Sequence, residues 1–267
     1  MGFKVKIFLA YIFDKIGISK FLLWRLGRKL ENKYIRVINY HNTKIEDADN
    51  FRKQISYLKS MFDNISYDEF KEFIDCGKLP GSRPGIMLTF DDGLSGNYDC
   101  AYPILQTYEM TGYFMISSDL IGKNGYMTYP QLRKIKENGH VIGCHTSTHH
   151  RMNLDDAEEL LNYEIVQSKK KLEENLDGEV EIFCWCGGEE VHYTKNASDM
   201  IKAGGYKYSF MTNSFPVIFK GGGSECTKIQ RINVESNWPI YLLKFQICGF
   251  MDWKLKRKRK RVNDLLE

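Results

Sequence analysis

Alternating strand and helix signals predict an α/β fold on a mostly parallel sheet, open or closed into a barrel. Three observations carry this expectation. Short apolar runs rich in branched and aromatic residues recur at 35–40, 86–90, 112–116, 140–144, 180–185, 206–212 and 228–234. Segments with helical spacing separate them, and neither an internal repeat nor a low-complexity linker interrupts the order. At 267 residues with 43% hydrophobic content, the chain is long enough for one large domain.

The elements follow in order. The first run ends at His41, and Phe51, Ile55, Leu58 and Phe62 then repeat at helical spacing. Ser66-Tyr67-Asp68-Glu69 reads as a capping box that opens a second helix through Phe70, Phe73 and Ile74. Residues 77–85, with Pro80 and Pro84, form a loop before the run that ends at Asp91. Helices are expected over 97–108, 129–138 and 197–203. A long one carries Leu154, Leu161, Ile165, Ser168 and Leu172 on one side. In such folds the loops that do chemistry gather at the C-terminal ends of the strands. His41, Asp91, Asp92, His145 and Cys186 all fall there.

Charge separates the ends of the chain from its middle. Seven basic residues between Lys254 and Arg261 outweigh the net charge of +4, so the remainder is mildly acidic at −3. No aromatic residues interleave that cluster, which argues against a nucleic-acid binder. The sequence divides into a basic amphipathic N-terminal segment (1–34), a catalytic-type domain (35–250) and a basic C-terminal tail (251–267). Lys4, Lys6, Lys20, Arg25, Arg28 and Lys29 flank the apolar stretches 7–13 and 21–24. These stretches are too short to span a bilayer, and no cleavage site follows them. The segment is expected either to lie on an anionic membrane face or to pack on the domain. The tail is read as a further membrane attraction or as solvated chain. Seven cysteines, an odd number without framework spacing, point to a reducing compartment. The expectation is therefore a cytoplasmic protein, or one peripheral to the inner membrane face.

The chemistry concentrates in Thr89-Phe90-Asp91-Asp92-Gly93 and His145-Thr146-Ser147-Thr148-His149. Two imidazoles at i, i+4 would share one face of a helical turn, and with one carboxylate they make a set suited to a divalent metal. The second carboxylate can take a proton from water that the metal has acidified. This set is suited to hydrolysing an amide or an ester. The Gly-rich loop of a nucleotide enzyme and the serine elbow of a serine hydrolase are both missing.

These two motifs resemble those of the polysaccharide deacetylase family, the NodB-homology carbohydrate esterases. Tyr102-Pro103-Ile104-Leu105, residues 139–143 and Arg231-Ile232-Asn233-Val234 extend the likeness across roughly 35–235. The resemblance implies a distorted (β/α) barrel of about seven parallel strands. It implies Asp91 as catalytic base, and Asp92, His145 and His149 as ligands of a divalent metal, zinc first. The substrate would be an N-acetylated glycan or, given the N-terminus, a lipid-linked sugar. Tyr40-His41 matches the branch typified by poly-N-acetylglucosamine deacetylases and implies His41 as general acid. The third motif departs from that branch: Phe183-Cys184-Trp185-Cys186-Gly187-Gly188 stands where it has Phe-Ala-Tyr-Pro-Tyr-Gly. Gly187 can still offer the backbone N–H that binds an oxyanion, and Trp185 and Arg231 are the neighbouring substrate-side candidates. Cys186 falls near the metal, where a thiolate can bind zinc. Arg231 is otherwise expected to orient a carboxylate or to make a surface ion pair. His140 and His150 are read as structural. A catalytically silent glycan-binding homologue is the alternative from another class.

Overall fold

The computed structural model describes residues 2–221 and 226–266. Among the described residues the nine strands are β1 (Ile35–Tyr40), β2 (Asp63–Asn64), β3 (Gly85–Phe90), β4 (Gly112–Ile116), β5 (Val141–Cys144), β6 (Ile182–Cys184), β7 (Tyr208–Met211), β8 (Thr227–Gln230) and β9 (Ile232–Asn233). All of their pairings are parallel, in the order β8-β7-β6-β5-β4-β3-β1-β9, with β2 beside β3. Only Arg231 separates β8 from β9, so one extended segment pairs with β7 on one side and with β1 on the other. The sheet thereby closes into a distorted barrel with seven positions around its wall. An antiparallel bridge between Ile35 and Val217 fills the lower half of the closing seam.

Side chains alternate between the two faces of each strand, and this parity sorts the whole domain. Val37, Met87, Tyr113, Met115, Ile182, Phe210 and Ile229 fill the interior, with Phe70 and Phe73 packed against them. The opposite parity, including Ile38, Leu88, Phe114, Ile142 and Phe183, packs outward against the helices. These helices are α1 (Phe3–Lys15), α2 (Ile18–Lys29), α3 (Ala48–Met61), α4 (Tyr67–Cys76), α5 (Tyr102–Thr107), α6 (Tyr129–Glu137), α7 (Glu158–Leu161), α8 (Ser168–Leu176), α9 (Lys195–Ala203), α10 (Ile240–Ile247), α11 (Phe250–Lys254) and α12 (Lys256–Leu266). Ser66 and Glu69 form the expected capping box at the start of α4. His140 is structural: its Nδ1 accepts from the Gly112 N–H at 2.9 Å, and burial lowers its pKa to about 4.

Two expected helices are interrupted by π-turns, at Asn97–Ala101 and Asn162–Gln167. The terminal segments also differ from the simplest expectations. The stretch read as a solvated tail is helical and docked, with Val262 and Leu266 buried. Asp252 of α11 accepts both Nη atoms of the buried Arg36 at 2.8 and 2.9 Å, and Arg259 donates to the carbonyls of Asn213, Ser214 and Asp252. At the other end, α1 packs on α10 through Ala10, Leu242 and Phe245. Among the described residues no helix is long and apolar enough to cross a membrane. Residues 1 and 267 of the two terminal segments lie outside the described residues.

Candidate active site at the barrel mouth

Parity also builds the site. Continuing the inward positions of β1, β3, β5, β6 and the β8/β9 seam past the strand ends brings His41, Asp91, His145, Cys184, Cys186 and Arg231 to one mouth. Asp91, His145 and Cys186 are buried, whereas the side chains of His41 and His149 are 38% and 36% exposed. The site is therefore open on the side of these two histidines.

Asp91 is held by the seam residue. Arg231 Nη1 donates to Asp91 Oδ1 at 2.7 Å and Nη2 to Oδ2 at 2.9 Å. Nη1 also reaches Thr89 Oγ1, and Nη2 lies 2.9 Å from Cys184 Sγ. Burial alone would push the Asp91 carboxyl up. The charge and hydrogen bonds of Arg231, aided by His145, outweigh it and hold the carboxyl below its usual range. Oδ1 also accepts from the Cys184 thiol at 3.6 Å, whereas Arg231 is the one partner given for Oδ2, which keeps a lone pair for a proton.

Asp92 turns away from its neighbour because its φ is +72°. Its Oδ1 is buried, makes no hydrogen bond, and lies 3.4 Å from His145 Nε2 and 3.1 Å from His149 Nε2. His145 Nδ1 lies 2.9 Å from the Cys184 carbonyl, so in the neutral ring the N–H belongs there and Nε2 carries the lone pair on the side of the oxygen. An orphaned carboxylate oxygen facing imidazole nitrogens is an arrangement that a divalent cation satisfies. About 3.0–3.4 Å is the spacing expected between nitrogen and oxygen ligands of an ion bound at about 2.1 Å. Burial works to lower the His145 pKa, but the surrounding thiols and carboxylates drive it well above its ordinary value. The cluster attracts positive charge.

The two histidines do not sit on a helical turn as their spacing suggested. They occupy an irregular loop after β5 in which Thr146 and His149 have φ of +63° and +66°. Such left-handed conformations cost non-glycine residues about 1 kcal/mol or more each. Glu164 holds the loop in place. Its carboxylate accepts from the backbone N–H groups of Ser147 and Thr148, both at 2.9 Å, and from Thr148 Oγ1 at 2.7 Å. Asn97 plays the matching part for the other motif, accepting from the Thr43 N–H and donating to the Asp91 carbonyl. Each of these buried clamps comes from one of the two π-turns, structures found often beside functional sites. Neither residue was foreseen. A buried acid on the apolar face of the Leu161–Leu172 helix was the available signal for Glu164.

His41 Nδ1 pairs with Glu235 Oε1 at 3.3 Å. The hydrogen bond that His41 donates to Glu235 is the main reason its pKa is raised, with Asp91 and Asp92 adding to the effect. Glu235 also escaped the sequence reading, although it directly follows Arg231-Ile232-Asn233-Val234.

One substrate-side expectation needs correction and another is narrowed. Trp185 is out of phase with Cys184 and Cys186, so it points outward, buried, with Nε1 on Ser209 Oγ and its ring against Phe183 and Tyr193. Its own N–H is taken by the Phe210 carbonyl. Arg231 is buried and its terminal nitrogens face Asp91, Thr89 and Cys184, so it lies against a carboxylate within the fold and is not a surface ion pair. Gly187 has φ +77°, and a Cβ there would stand 3.1 Å from Glu189 Oε2 and 3.2 Å from His192 Cδ2, so the turn requires glycine. His150 lies aside, paired with Asp156 at 2.9 Å.

Residues 78–209 match the family model described as polysaccharide deacetylase. That span holds Asp91, Asp92, both metal-set histidines and the third motif, but not His41 or Arg231. The Bacillus subtilis (strain 168) protein YxkH, which carries a provisional polysaccharide deacetylase assignment, is 29% identical over 102 residues. The match spans 37% of this chain and about a third (36%) of that relative's length. Among solved structures, the chain is similar to the Streptococcus pyogenes deacetylase PplD in complex with acetate, with a TM-score of 0.68 at 20% identity over 80% of this chain and 98% of that one. IcaB from Ammonifex degensii gives 0.67 at 18% identity, over 80% and 97% of the two chains. A de-N-acetylase from Aggregatibacter actinomycetemcomitans gives 0.65 at 19%, over 79% and 98%. These structural likenesses concern the fold. The family model covers just under half of the chain, residues 78–209, and it is this stretch that is similar to the polysaccharide deacetylases.

Proposed function

We propose that the protein is a metal-dependent deacetylase that hydrolyses the N-acetyl group of an amino sugar in a polysaccharide or glycan precursor. The convergence of Asp92 Oδ1 with His145 Nε2 and His149 Nε2 beside an ionised Asp91 carries this reading. A divalent ion held by Asp92, His145 and His149 supplies polarisation of the acetyl carbonyl and acidification of water. Asp91 takes a proton from the water whose oxygen attacks the carbonyl carbon. The Arg231 clamp keeps it ionised and fixes its orientation. His41, kept protonated by Glu235, delivers a proton to the sugar nitrogen as the C–N bond breaks, releasing acetate and the free amine. The Gly187 N–H is the donor assigned to the developing oxyanion.

Metal content by mass spectrometry is the first test. About one divalent ion per chain is expected, lost in the His145→Ala/His149→Ala variant, together with acetate release from N-acetylglucosamine oligosaccharides. No ion in either protein after reconstitution would overturn the reading in favour of a silent glycan-binding homologue.

One observation favours a second reading, in which the substrate lies at an anionic membrane face. Helices α1 and α2 and the turn between them expose Phe8, Ile16, Phe21 and Trp24, each more than half accessible. Basic residues surround them, and the single acid there, Asp14, is paired with Lys244. Phe3 and Lys6 rest on Trp238, three residues beyond Glu235, which puts this end of α1 near the mouth. The protein should co-sediment with phosphatidylglycerol vesicles, and the Phe8→Ser/Trp24→Ser variant should not. Absence of binding by the wild type would refute it.

A further inference from the structure

The donor set at the mouth contains a fourth member. Cys186 follows β6 with inward parity and is buried against the imidazole of His145, its Sγ 3.6 Å from Nδ1 and 3.7 Å from Nε2. Ligand atoms of His145, His149 and Cys186 all lie within 4.8 Å of one another. Its remaining close polar neighbours, Thr146 Oγ1 and the His145 carbonyl, are both 3.6 Å away, so no strong partner claims the sulfur.

Four-coordinate geometry makes a quantitative demand on such a set. With metal–nitrogen and metal–oxygen bonds of about 2.0–2.1 Å and a metal–sulfur bond of about 2.3 Å, a tetrahedron has edges of about 3.4 Å between N and O and about 3.6 Å between S and N. Asp92 Oδ1 meets this demand at 3.4 Å from His145 Nε2 and 3.1 Å from His149 Nε2, whereas Cys186 Sγ lies beside both ring nitrogens of His145, 3.6 Å from Nδ1 and 3.7 Å from Nε2, and must turn toward the Nε2 side to complete the set. The oxygen in this set is the one left without a hydrogen bond in the fold.

We propose that Cys186 is a metal ligand, which makes the site an Asp-His-His-Cys set that prefers thiophilic ions such as zinc, cobalt and cadmium over magnesium, calcium and manganese. The proposal rests on the reading of Asp92, His145 and His149 as a metal site and adds a soft donor to it. On binding, the thiol proton leaves to solvent and the sulfur lone pair forms the bond to the ion, with no change of oxidation state. Sulfur is what distinguishes the ions: oxygen and nitrogen donors serve all of them, and thiolate selects the softer group.

Cobalt(II) separates the two layers of the argument. The metal-free full chain, carrying Cys76→Ser to remove the exposed thiol, is titrated with cobalt(II) and followed by absorption. The expected result is a set of visible d–d bands plus a near-ultraviolet sulfur-to-cobalt charge-transfer band. In Cys186→Ser the near-ultraviolet band is lost and the visible bands remain. Cys184→Ser, which alters the neighbouring buried thiol, retains both. Visible bands without charge transfer in the parent protein would overturn the sulfur ligand and leave the three-residue site standing. Loss of the band in Cys184→Ser but not in Cys186→Ser would overturn the assignment to Cys186. Absence of every cobalt band in the parent would overturn the metal site itself. Retained visible bands in Cys186→Ser also show that the variant is folded.

Discussion

Replacing Arg231 by methionine is expected to destabilise the protein by about 3–5 kcal/mol at neutral pH, because it leaves a buried carboxylate without its cation. Asp91 and Arg231 are both buried and joined by two parallel hydrogen bonds. Their sign with pH can be worked out. The folded pKa of Asp91 lies below its unfolded value, so the pair's contribution is complete above the ordinary carboxylate range and is lost as pH falls through the folded value. In the methionine variant burial acts unopposed by the guanidinium, and the carboxyl rises. Its destabilisation should then be largest at neutral pH and shrink as acidification neutralises Asp91. Urea unfolding of both proteins across this pH range measures it. Equal stability at neutral pH would mean that the pair does not hold the mouth together.

Asp91→Asn is expected to lower turnover by about 10²–10⁴-fold, the usual contribution of a positioned base, while metal content stays at the wild-type level. The amide has the carboxylate's shape but no proton-accepting charge, and the three residues proposed to hold the ion are untouched. Asp92→Asn should do the reverse and lose the ion first. Two adjacent carboxylates thus give opposite signatures when acetate release and metal content are measured on the same preparations. Undiminished turnover in Asp91→Asn would remove it as the base.

The strands were legible because a parallel barrel buries both faces of each one, leaving short apolar runs whose ends are easy to place. The run over 112–116 coincides with β4, and 35–40 with β1. The helices of 97–108 and 154–172 were legible only in outline. A π-turn leaves the apolar stripe nearly intact while adding a residue, so spacing does not reveal it. Helix α12 was missed because only Val262 and Leu266 mark its buried side among the basic residues. Within the site, residue type and strand-end position were enough to bring His41, Asp91, Asp92, His145 and Cys186 together. Trp185 went wrong for want of parity: inward Cys184 and Cys186 require its ring to point outward. Glu164, Asn97 and Glu235 act through partners distant in sequence, and of the three only Glu164, an acid on an apolar helix face, carried a local signal.

The position of Arg231 at the barrel's closing seam has a consequence for how the protein fails. The guanidinium that sets the charge of Asp91 is carried by the residue whose neighbours join the first strand to the last. Fraying of that seam would admit water to the ion pair at the moment the barrel opens. The mouth and the wall therefore belong to one cooperative unit. Loss of the site by heat or denaturant should coincide with loss of the domain, without a folded but disarmed intermediate between them.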